Sequence, residues 1–349
     1  MWSGDPIATF TVTEDGWQEI DITSLAAENI GKTLTFVLTA SELDEDLVVT
    51  PTLTVRHASD TSTFLPSDLK VKSNITLSSD FLYNAYVPAF DEVKEITLDG
   101  VALPLYDLEK VTIGEQEFYR VTKSLAAKDG TDTATLVVRF DSGTAQGAKT
   151  YVLSIPKYAE KLFQTAESDE AKAVVRDALA YIKATKAYFH VTADPSLDAL
   201  LTDYTEKTEQ DLRLTAEHAV SQSDGDALTS ACLDLGATPS FVFYLKEGVS
   251  DKVASTFRFT SESGAPLATA IRTDADGRTY LEVTTYAYGM TDTLHFTYTD
   301  EAGEHTGSYN LAAYYTSSAS SEEVKPLVRA LAQYAESAKA YRNSVLKEE

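Results

Sequence analysis

Apolar and polar residues alternate along three stretches of the chain, and the second and third stretches each lead into a helical pattern. In the first stretch, residues 7–56, the alternation runs through IATFTVT, WQEIDIT, KTLTFVLT and LVVTPTLTVRH. Alternation at period two among Thr, Val, Ile and Phe predicts short antiparallel strands. So small a set of strands does not make a self-sufficient sandwich. We therefore assign residues 1–57 to the C-terminal part of a β-sandwich and expect the chain to be a fragment of a longer protein.

The second and third stretches, residues 69–154 and 237–311, predict strands in the same order, and each contains an Asp-Gly dipeptide typical of a hairpin turn. At the shared Thr-Asp-Thr tripeptide the two copies lie 160 positions apart (291 − 131). Solenoid repeats have periods of roughly 20–50 residues, so this is a duplicated domain. The superposed residues are Thr131-Asp132-Thr133 on Thr291-Asp292-Thr293, Ala134, Leu136 and Val138 on Leu294, Phe296 and Tyr298, and Tyr151 on Tyr309.

A nearly identical helical segment follows each set of strands. VRDALAYIKATKAY occupies residues 175–188, and VRALAQYAESAKAY occupies residues 328–341. Apolar residues at a spacing of three and four predict one buried stripe on each helix. The shorter segments PKYAEKLFQTA and LAAYYTSS precede them and complete two helical hairpins. Ser320 and Glu323 have the spacing of a capping box at the start of the second long helix.

A stripe on one side of a helix needs an apolar surface to cover it. The nearest candidates are the partner helix of the hairpin and one face of the preceding sandwich. We expect the helix tyrosines to cap the contact between helix and sheet, with the ring buried and the hydroxyl at the edge. These residues are Tyr181, Tyr188, Tyr334 and Tyr341.

These patterns together predict a mainly β fold with α-helices, built from tandem Ig-like β-sandwich modules that are each followed by a helical hairpin. After the partial sandwich of residues 1–57, we place copy 1 at residues 58–190 and copy 2 at residues 222–349. Residues 191–221 form the linker between them, in which helix and strand patterns are both possible.

Parts of the chain resemble a known type of module. SLAAKDGTDTATLVVRFDSG, followed by TYVLSIPKYAEKL and VVRDALAYIKATKAYF, is similar to modules repeated near the C-termini of large secreted or surface proteins of gut Clostridia and related Firmicutes. The second copy departs from that pattern at Arg342, where the modules have Phe. The opening DGWQEIDITSLAAENIGKTLTFVLT resembles the last strands of a carbohydrate-binding-type β-sandwich. The resemblance implies an accessory region beside a carbohydrate-active or adhesive domain, without catalytic residues of its own.

Charge and hydropathy narrow the set of partners and the location. The formal net charge of −25 repels phosphate backbones and anionic lipid headgroups, so we expect no nucleic-acid partner and no membrane insertion. No apolar stretch approaches the roughly 18 residues that a membrane span needs. The N-terminal MWSGDPIATF lacks the pattern of a signal peptide. On the resemblance we expect an extracellular or cell-surface protein whose export signal lies outside this fragment.

The residue types that catalysis and metal binding require form no recognisable motif. No pair among the five histidines has the i, i+4 spacing of helix-borne metal ligands, and His295 is expected to face solvent. The one cysteine, Cys232, excludes an intrachain disulfide and is expected to be structural. TDADGRTYLE loosely resembles a calcium loop, but it lacks the full ligand spacing and favours a hairpin turn. We therefore expect no enzyme activity, no cofactor and no metal.

One aromatic segment, FLYNAYVPAF, is a candidate ligand-binding surface. Exposed aromatic rings stack on the CH face of a sugar, and Tyr83 and Tyr86, together with Phe81 and Phe90, could form such a platform. The alternative is that both rings pack against cross-strand neighbours, as Tyr and Phe commonly do in sheets.

The sequence thus predicts a non-catalytic accessory region of a secreted or cell-surface bacterial protein. It would space or present a carbohydrate-active or adhesive domain of the same polypeptide and could bind a polysaccharide or host glycan weakly. One alternative is a glycan-degrading enzyme with a carboxylate site between domains, which a cleft with three or more perturbed carboxylates would favour. The other is a protein-binding adhesin that uses an exposed sheet edge.

Overall fold

The computed structural model of the protein describes residues 33–34, 53–54, 64–77, 81–142, 146–166, 168–235, 239–317 and 320–348. The chain divides into two units, Met1–Leu65 and Pro66–Glu349. Within the first unit, strand β1 (Thr33–Leu34) pairs antiparallel with strand β2 (Leu53–Thr54). The remainder of the partial sandwich predicted for residues 1–57 lies outside the described residues.

Copy 1 is a sandwich of two antiparallel four-stranded sheets. One sheet has the strand order β3-β4-β8-β7, and the other has the order β10-β9-β5-β6. Inward-facing residues of both sheets, among them Ala85, Val87, Ile96 and Leu136, are fully buried. The strands are β3 (Lys72–Leu77), β4 (Phe81–Pro88), β5 (Val93–Leu98), β6 (Val101–Leu103), β7 (Lys110–Ile113), β8 (Gln116–Leu125), β9 (Ala134–Asp141) and β10 (Gln146–Leu153).

Copy 2 repeats this architecture. Its sheets have the orders β12-β13-β16-β15 and β11-β18-β17-β14, again antiparallel. Its core is aromatic, because Phe243 lies 4.9 Å from Phe259 and 5.9 Å from Phe296 between ring centroids. The strands are β11 (Ser221–Ser223), β12 (Leu228–Asp234), β13 (Ser240–Leu245), β14 (Arg258–Thr260), β15 (Ala268–Thr273), β16 (Thr279–Thr284), β17 (Leu294–Asp300) and β18 (Gly303–Tyr309).

Strand pairing corrects one detail of the predicted superposition. Tyr309 pairs with Leu294 at the end of its hairpin, whereas Tyr151 pairs with Leu136 and the residue opposite Ala134 is Leu153. The structural counterpart of Tyr309 is therefore Leu153. The sequence match failed because the hairpins differ in length between the Thr-Asp-Thr tripeptide and the next helix, so aligning the tyrosines shifted the register by two residues.

Each sandwich leads into a pair of helices, and the helix starts are capped by side chains. Ser154, Ser168 and Asn310 each accept a hydrogen bond from a backbone N–H of the first turn. The predicted Ser320–Glu323 capping box does not form, because the last helix begins at Lys325 and the Val324 N–H in the turn before it donates to Ser321. The helices are α1 (Ile155–Thr165), α2 (Asp169–Tyr188), α3 (Pro195–Leu200), α4 (Asp251–Ala254), α5 (Leu311–Thr316) and α6 (Lys325–Glu348).

The fold class is the predicted one: mainly β with α-helices, in tandem Ig-like β-sandwich modules that each lead into a helical hairpin. The predicted linker, residues 191–221, contains helix α3, a series of turns and the first residue of β11. The predicted domain boundaries themselves stay predictions.

Candidate functional site

The two long helices, α2 and α6, pack against each other. At the centre of this contact the rings of Tyr181 and Tyr334 stack in parallel, with centroids 5.9 Å apart and an interplanar angle of 11°. The ring of Phe81, on β4, lies within 6.3 Å of Tyr181 and 5.8 Å of Tyr334. Stacked aromatic pairs contribute about 0.5–1.5 kcal/mol beyond the area they bury. The two repeated helices therefore join copy 1 to copy 2 directly.

This finding corrects the expectation for two of the four helix tyrosines. Tyr181 and Tyr334 are 1% and 2% exposed and lie between the helices, so their hydroxyls are not at an edge. Among the residues that the structure describes, the Tyr334 hydroxyl has no hydrogen-bond partner. Tyr188 is half-buried and Tyr341 is 37% exposed, so only this outer pair has an exposed rim.

A buried amide lies beside the stacked rings. The Gln333 side chain, 4% exposed, donates from Nε2 to Asp177 Oδ1 at 3.1 Å and to the Thr205 carbonyl at 2.9 Å. Its Oε1 accepts from the Tyr204 hydroxyl at 3.2 Å and from the Lys207 backbone N–H at 2.9 Å. The amide thus has a partner for both donors and for its acceptor, as a buried polar group requires.

The carboxylate that meets Gln333 is itself buried. Asp177 is 8% exposed, and burial raises the pKa of its carboxyl above the usual range. The nearby Ser337 hydroxyl, the hydrogen bond from Gln333 and the charges of Lys207 and Arg176 act against this rise of the pKa. We call the contact made by Asp177, Tyr181, Gln333, Tyr334 and Ser337 the helix clasp. Removing one partner of such a buried pair leaves the other unsatisfied, which costs about 1–3 kcal/mol.

Sequence reasoning missed the two polar members of the helix clasp. Considered one at a time, Asp177 and Gln333 are residue types that are typical of solvent-facing helix positions. Superposing the two helices gives a signal, since Asp177 corresponds to Ala330 and Gln333 corresponds to Ala180. Each copy therefore has a polar residue where the other copy has a small apolar one.

The linker is fastened to copy 2. Arg329, on α6, donates to Glu206 at 2.9 Å, and the Tyr315 hydroxyl donates to Glu209. Asn310 accepts from the Val220 N–H at 3.0 Å while it caps α5. With the Gln333 contacts, these bonds hold the segment after α3 against α5 and α6.

Each long helix also rests on its own sandwich at the Thr-Asp-Thr tripeptide or the turn before it. In copy 2, Thr291 donates to Glu336 and Lys339 donates to Asp292, both at 2.7 Å. In copy 1, Lys186, the counterpart of Lys339, donates to the Lys128 carbonyl at 3.3 Å. In both copies the long helix thus meets its own sandwich at or just before the repeated tripeptide.

The candidate ligand residues Tyr83 and Tyr86 lie on different faces of β4, because residues three apart on a strand point to opposite sides. Tyr83 is 6% exposed, its hydroxyl donates to Ser73 Oγ at 3.3 Å, and its ring meets Tyr158 of α1 edge-on. Tyr86 is half-buried on the outer face and accepts from Asn74 Nδ2 at 3.1 Å. Stacking on a sugar at this strand would therefore rest on Tyr86, and the binding role of the pair stays a prediction.

Copy 2 has an aromatic residue at the position of Tyr86. Tyr244 follows the inward-facing Phe243 on β13, as Tyr86 follows Ala85 on β4. Its ring lies 5.5 Å from that of Tyr280 on the neighbouring strand β16, and the Arg278 guanidinium lies 4.7 Å above it. Sequence reasoning missed this outer-face pair, because only the strand register brings Tyr244 and Tyr280 together.

The TDADGRTYLE segment forms the β15–β16 hairpin. Asp274 accepts backbone N–H bonds from Asp276 and Arg278 and a side-chain bond from Arg278 at 2.9 Å. These hydrogen bonds lower the pKa of the Asp274 carboxyl, and the bond from the Arg278 backbone N–H has the largest effect. The Asp274 carboxylate thus stabilises the turn between β15 and β16, where the Asp-Gly dipeptide predicts a hairpin.

One histidine has a defined environment that the sequence did not indicate. His305 is stacked on Tyr298 at 4.8 Å, with its Nε2 2.9 Å from Asp300 and its Nδ1 3.6 Å from Asp224. The hydrogen bond with His305 is the main cause that lowers the pKa of the Asp300 carboxyl. His295 is exposed, as expected, and lines a shallow depression of about 480 Å³ on the outer face of β17 and β18.

The described residues include neither a cluster of metal ligands nor a helix suited to span a membrane. In that part of the chain, no three His, Cys, Asp or Glu side chains are grouped so that they could hold a metal ion. Within the same residues, no helix has the length and apolar character to cross a membrane. Cys232 is half-buried, and burial raises the pKa of its thiol.

Comparison with known proteins adds little to this description. No protein-family model and no curated protein matches the chain. Among solved structures, the chain is similar to a chimeric titin Z1Z2-Z1Z2 tandem functionalised with a GRGDS peptide from fibronectin, with 10% identity over 68% of this chain and 96% of that chain. The TM-score of this match is 0.16, so the fold rests on the strand pairing described above.

Proposed function

We propose that the chain is a non-catalytic structural region of a secreted or cell-surface bacterial protein, where it holds a neighbouring domain at a set distance. The observation that carries this proposal is the helix clasp. Tandem domains joined by a linker alone move relative to one another by default. Here a stacked tyrosine pair, a buried amide network and a fastened linker connect the two modules, which suits a stiff spacer.

The environment of the perturbed carboxylates supports the same proposal over the enzyme alternative. Three exposed or half-exposed carboxyls, those of Asp99, Asp224 and Asp274, have lowered pKa values. The largest cause in each case is a hydrogen bond from a backbone N–H, which is donated by Thr135, Thr306 and Arg278 respectively. Such bonds fasten strand ends and turns. Asp177, whose pKa is raised, lies inside the helix clasp. In each case the perturbation has a structural partner that accounts for it.

A distance measurement between the copies tests the spacer role. Spin labels would be attached to cysteines at Glu115 in copy 1 and Asp276 in copy 2, both exposed, in a chain with Cys232→Ser. We expect one narrow distance distribution. Tyr334→Ala should broaden it, while Leu346→Ala, which shortens an exposed side chain on the same helix, should leave it narrow. A broad distribution in the chain with its clasp intact would rule out a stiff spacer.

Weak glycan binding is a second candidate function, favoured by the repetition of an outer-face tyrosine at Tyr86 and Tyr244. Aromatic rings on a flat sheet face suit stacking on a sugar ring, and Arg278 and Glu282 supply polar groups near Tyr244. Titration of the chain with plant and mucosal polysaccharides, with and without calcium, tests it. We expect saturable binding that weakens in a variant with Tyr244→Ala and Tyr86→Ala. The control variant Tyr106→Ala, which removes an exposed ring elsewhere, should keep the binding. The absence of binding across the panel would refute this function and leave the spacer role untouched.

A further inference from the structure

We propose that the helix clasp selects its partner: the buried hydrogen bond between Asp177 and Gln333 makes copy 1 pair with copy 2 and disfavours the pairing of either copy with itself. The inference deepens the proposed structural role, on which it rests for its biological meaning. It identifies the partner of each long helix as the unlike module.

The helix clasp joins equivalent surfaces of the two modules. Tyr181 stacks on Tyr334, and these two residues occupy the same place in the repeated helix, 153 positions apart (334 − 181). A contact between equivalent residues is the mark of a two-fold, self-complementary interface. A self-complementary surface can in principle accept a second copy of itself, so something must favour the unlike pair.

Tyrosines near the helix ends follow the same two-fold relation. Tyr341, at the end of α6, is near enough to Tyr158 of α1 to contribute to the raised pKa of that phenol, after burial. Tyr188, the counterpart of Tyr341, does the same to Tyr314 of α5. The end of each long helix thus lies near a tyrosine on the short helix of the other copy. The relation therefore extends along both helices and is not limited to one pair of rings.

The polar contact between Asp177 and Gln333 breaks the two-fold relation. The same shift of 153 positions relates Asp177 to Ala330 and Ala180 to Gln333 (330 − 177 and 333 − 180). The reciprocal of the Asp177–Gln333 contact is therefore the Ala180–Ala330 position, and these alanines are 6% and 7% exposed. In the unlike pair, one half of the interface has a satisfied polar contact and the other half has two small apolar side chains.

A pair of identical modules would lack the Asp177–Gln333 contact in both halves of its interface. Two copies of the first module would place each buried Asp177 opposite an Ala180, without the Gln333 amide. Two copies of the second module would place each Gln333 opposite an Ala330, without a carboxylate. A buried carboxylate or amide deprived of its partner is costly, whereas a pair of alanines is tolerated. Selectivity of this kind works by penalising the wrong partner.

The linker reinforces the choice. Three of the four hydrogen bonds of the Gln333 amide go to the linker residues Tyr204, Thr205 and Lys207, which follow α2 in the chain. Closure within one chain also benefits from the high effective concentration that a short connection gives. Linker and clasp together favour a closed single chain over exchange with a neighbouring chain.

Cleaving the folded full chain tests the inference. A specific protease site would be inserted between Thr192 and Ala193, both exposed, and cut after folding. Native mass spectrometry at micromolar concentration then counts like and unlike pairs of the two pieces. We expect unlike pairs in the parent chain. Asp177→Ala should raise the share of copy 1 like pairs by about tenfold or more, since one unsatisfied buried group is removed from each half.

Asp169→Ala is the matched control, because Asp169 is an exposed carboxylate on the same helix. It should leave the pairing unchanged. If Asp177→Ala does not fold before cleavage, Gln333→Ala replaces it, since it removes the amide from copy 2 and should raise the share of copy 2 like pairs instead. Like pairs in the parent chain, separation of its pieces into monomers, or an unaltered pairing in whichever of Asp177→Ala and Gln333→Ala folds would each overturn the inference. A broad label distance in the intact chain would instead refute the spacer role alone.

Discussion

At the scale of single residues, the His305 environment predicts how copy 2 responds to acid. Asp300 accepts a hydrogen bond at 2.9 Å from His305, and this bond lowers the pKa of the Asp300 carboxyl below its unfolded value of 3.8. A carboxyl with a lowered folded-state pKa contributes stability above the unfolded pKa and loses it as the pH falls through the folded pKa. The contribution of Asp300 should thus be complete at neutral pH and fade below about pH 4.

Asp300→Asn should therefore destabilise the protein at pH 7, and the difference from the parent chain should shrink toward pH 3. Urea unfolding of both chains at the two pH values measures it. Asp276→Asn is the control, because Asp276 is highly exposed and makes only a 3.6 Å contact with Arg278. A difference for Asp300→Asn that stays constant between the two pH values would show that the loss does not come from the ionised carboxyl.

Individual residues also mark the limit of what the sequence could predict. Leu136, Val138, Phe296 and Tyr298 are buried as the alternation predicts, because that pattern is local. The burial of Asp177 depends on a residue 156 positions away, and no local pattern contains that information. The same holds for the Tyr244–Tyr280 pair, which exists only through the register of β13 and β16.

At the scale of elements, one side chain connects the linker, β18 and α5. Its removal should destabilise the protein more than the loss of an ordinary helix cap. Asn310 is 9% exposed; its side chain accepts from the Ala313 and Val220 N–H groups and donates to the His218 carbonyl at 2.9 Å. Asn310→Ala removes the cap and also leaves partly buried linker groups unsatisfied. We expect a loss of about 2–4 kcal/mol in the free energy of unfolding.

Ser168→Ala supplies the matched comparison, since Ser168 caps α2 through the Ala171 N–H alone among the backbone groups described. Its expected loss is about 1 kcal/mol. Asn310→Asp, which retains both acceptor contacts but not the donor, should fall between the two. Chemical denaturation of the three variants gives the values. Equal losses for Asn310→Ala and Ser168→Ala would mean that the linker is not held by this side chain.

The elements themselves were largely predictable, and their partners were not. Both long helices and their apolar stripes follow from residue spacing, and the sheets follow from period-two alternation. The stripes were expected to lie on a sandwich or within a hairpin, yet their centres pack helix on helix across the two copies. A stripe indicates that a helix face is buried without indicating what buries it, so long-range pairing of α2 with α6 had to come from the structure.

At the scale of the whole molecule, the helix clasp should make the two sandwiches unfold together. Strands β9 and β17 lie in different modules, and their backbone N–H groups are protected by antiparallel partners. If the clasp couples the modules strongly, both sets of amides exchange with solvent only through one global opening and report the same free energy. Native-state hydrogen exchange of the full chain, resolved by mass spectrometry, compares the two strands directly.

Tyr334→Ala should separate these two free energies. Truncation of a fully buried aromatic side chain costs about 3–5 kcal/mol, and here that loss falls on the contact between modules as well as on α6 itself. Copy 2 should then open at a lower free energy than copy 1, since Tyr334 belongs to its helix, while β9 keeps the protection that its own sandwich provides. Leu346→Ala, on the same helix but 52% exposed, should leave β9 and β17 equally protected. Unequal protection already in the parent chain would mean that the modules are folded independently and that the clasp only sets their orientation.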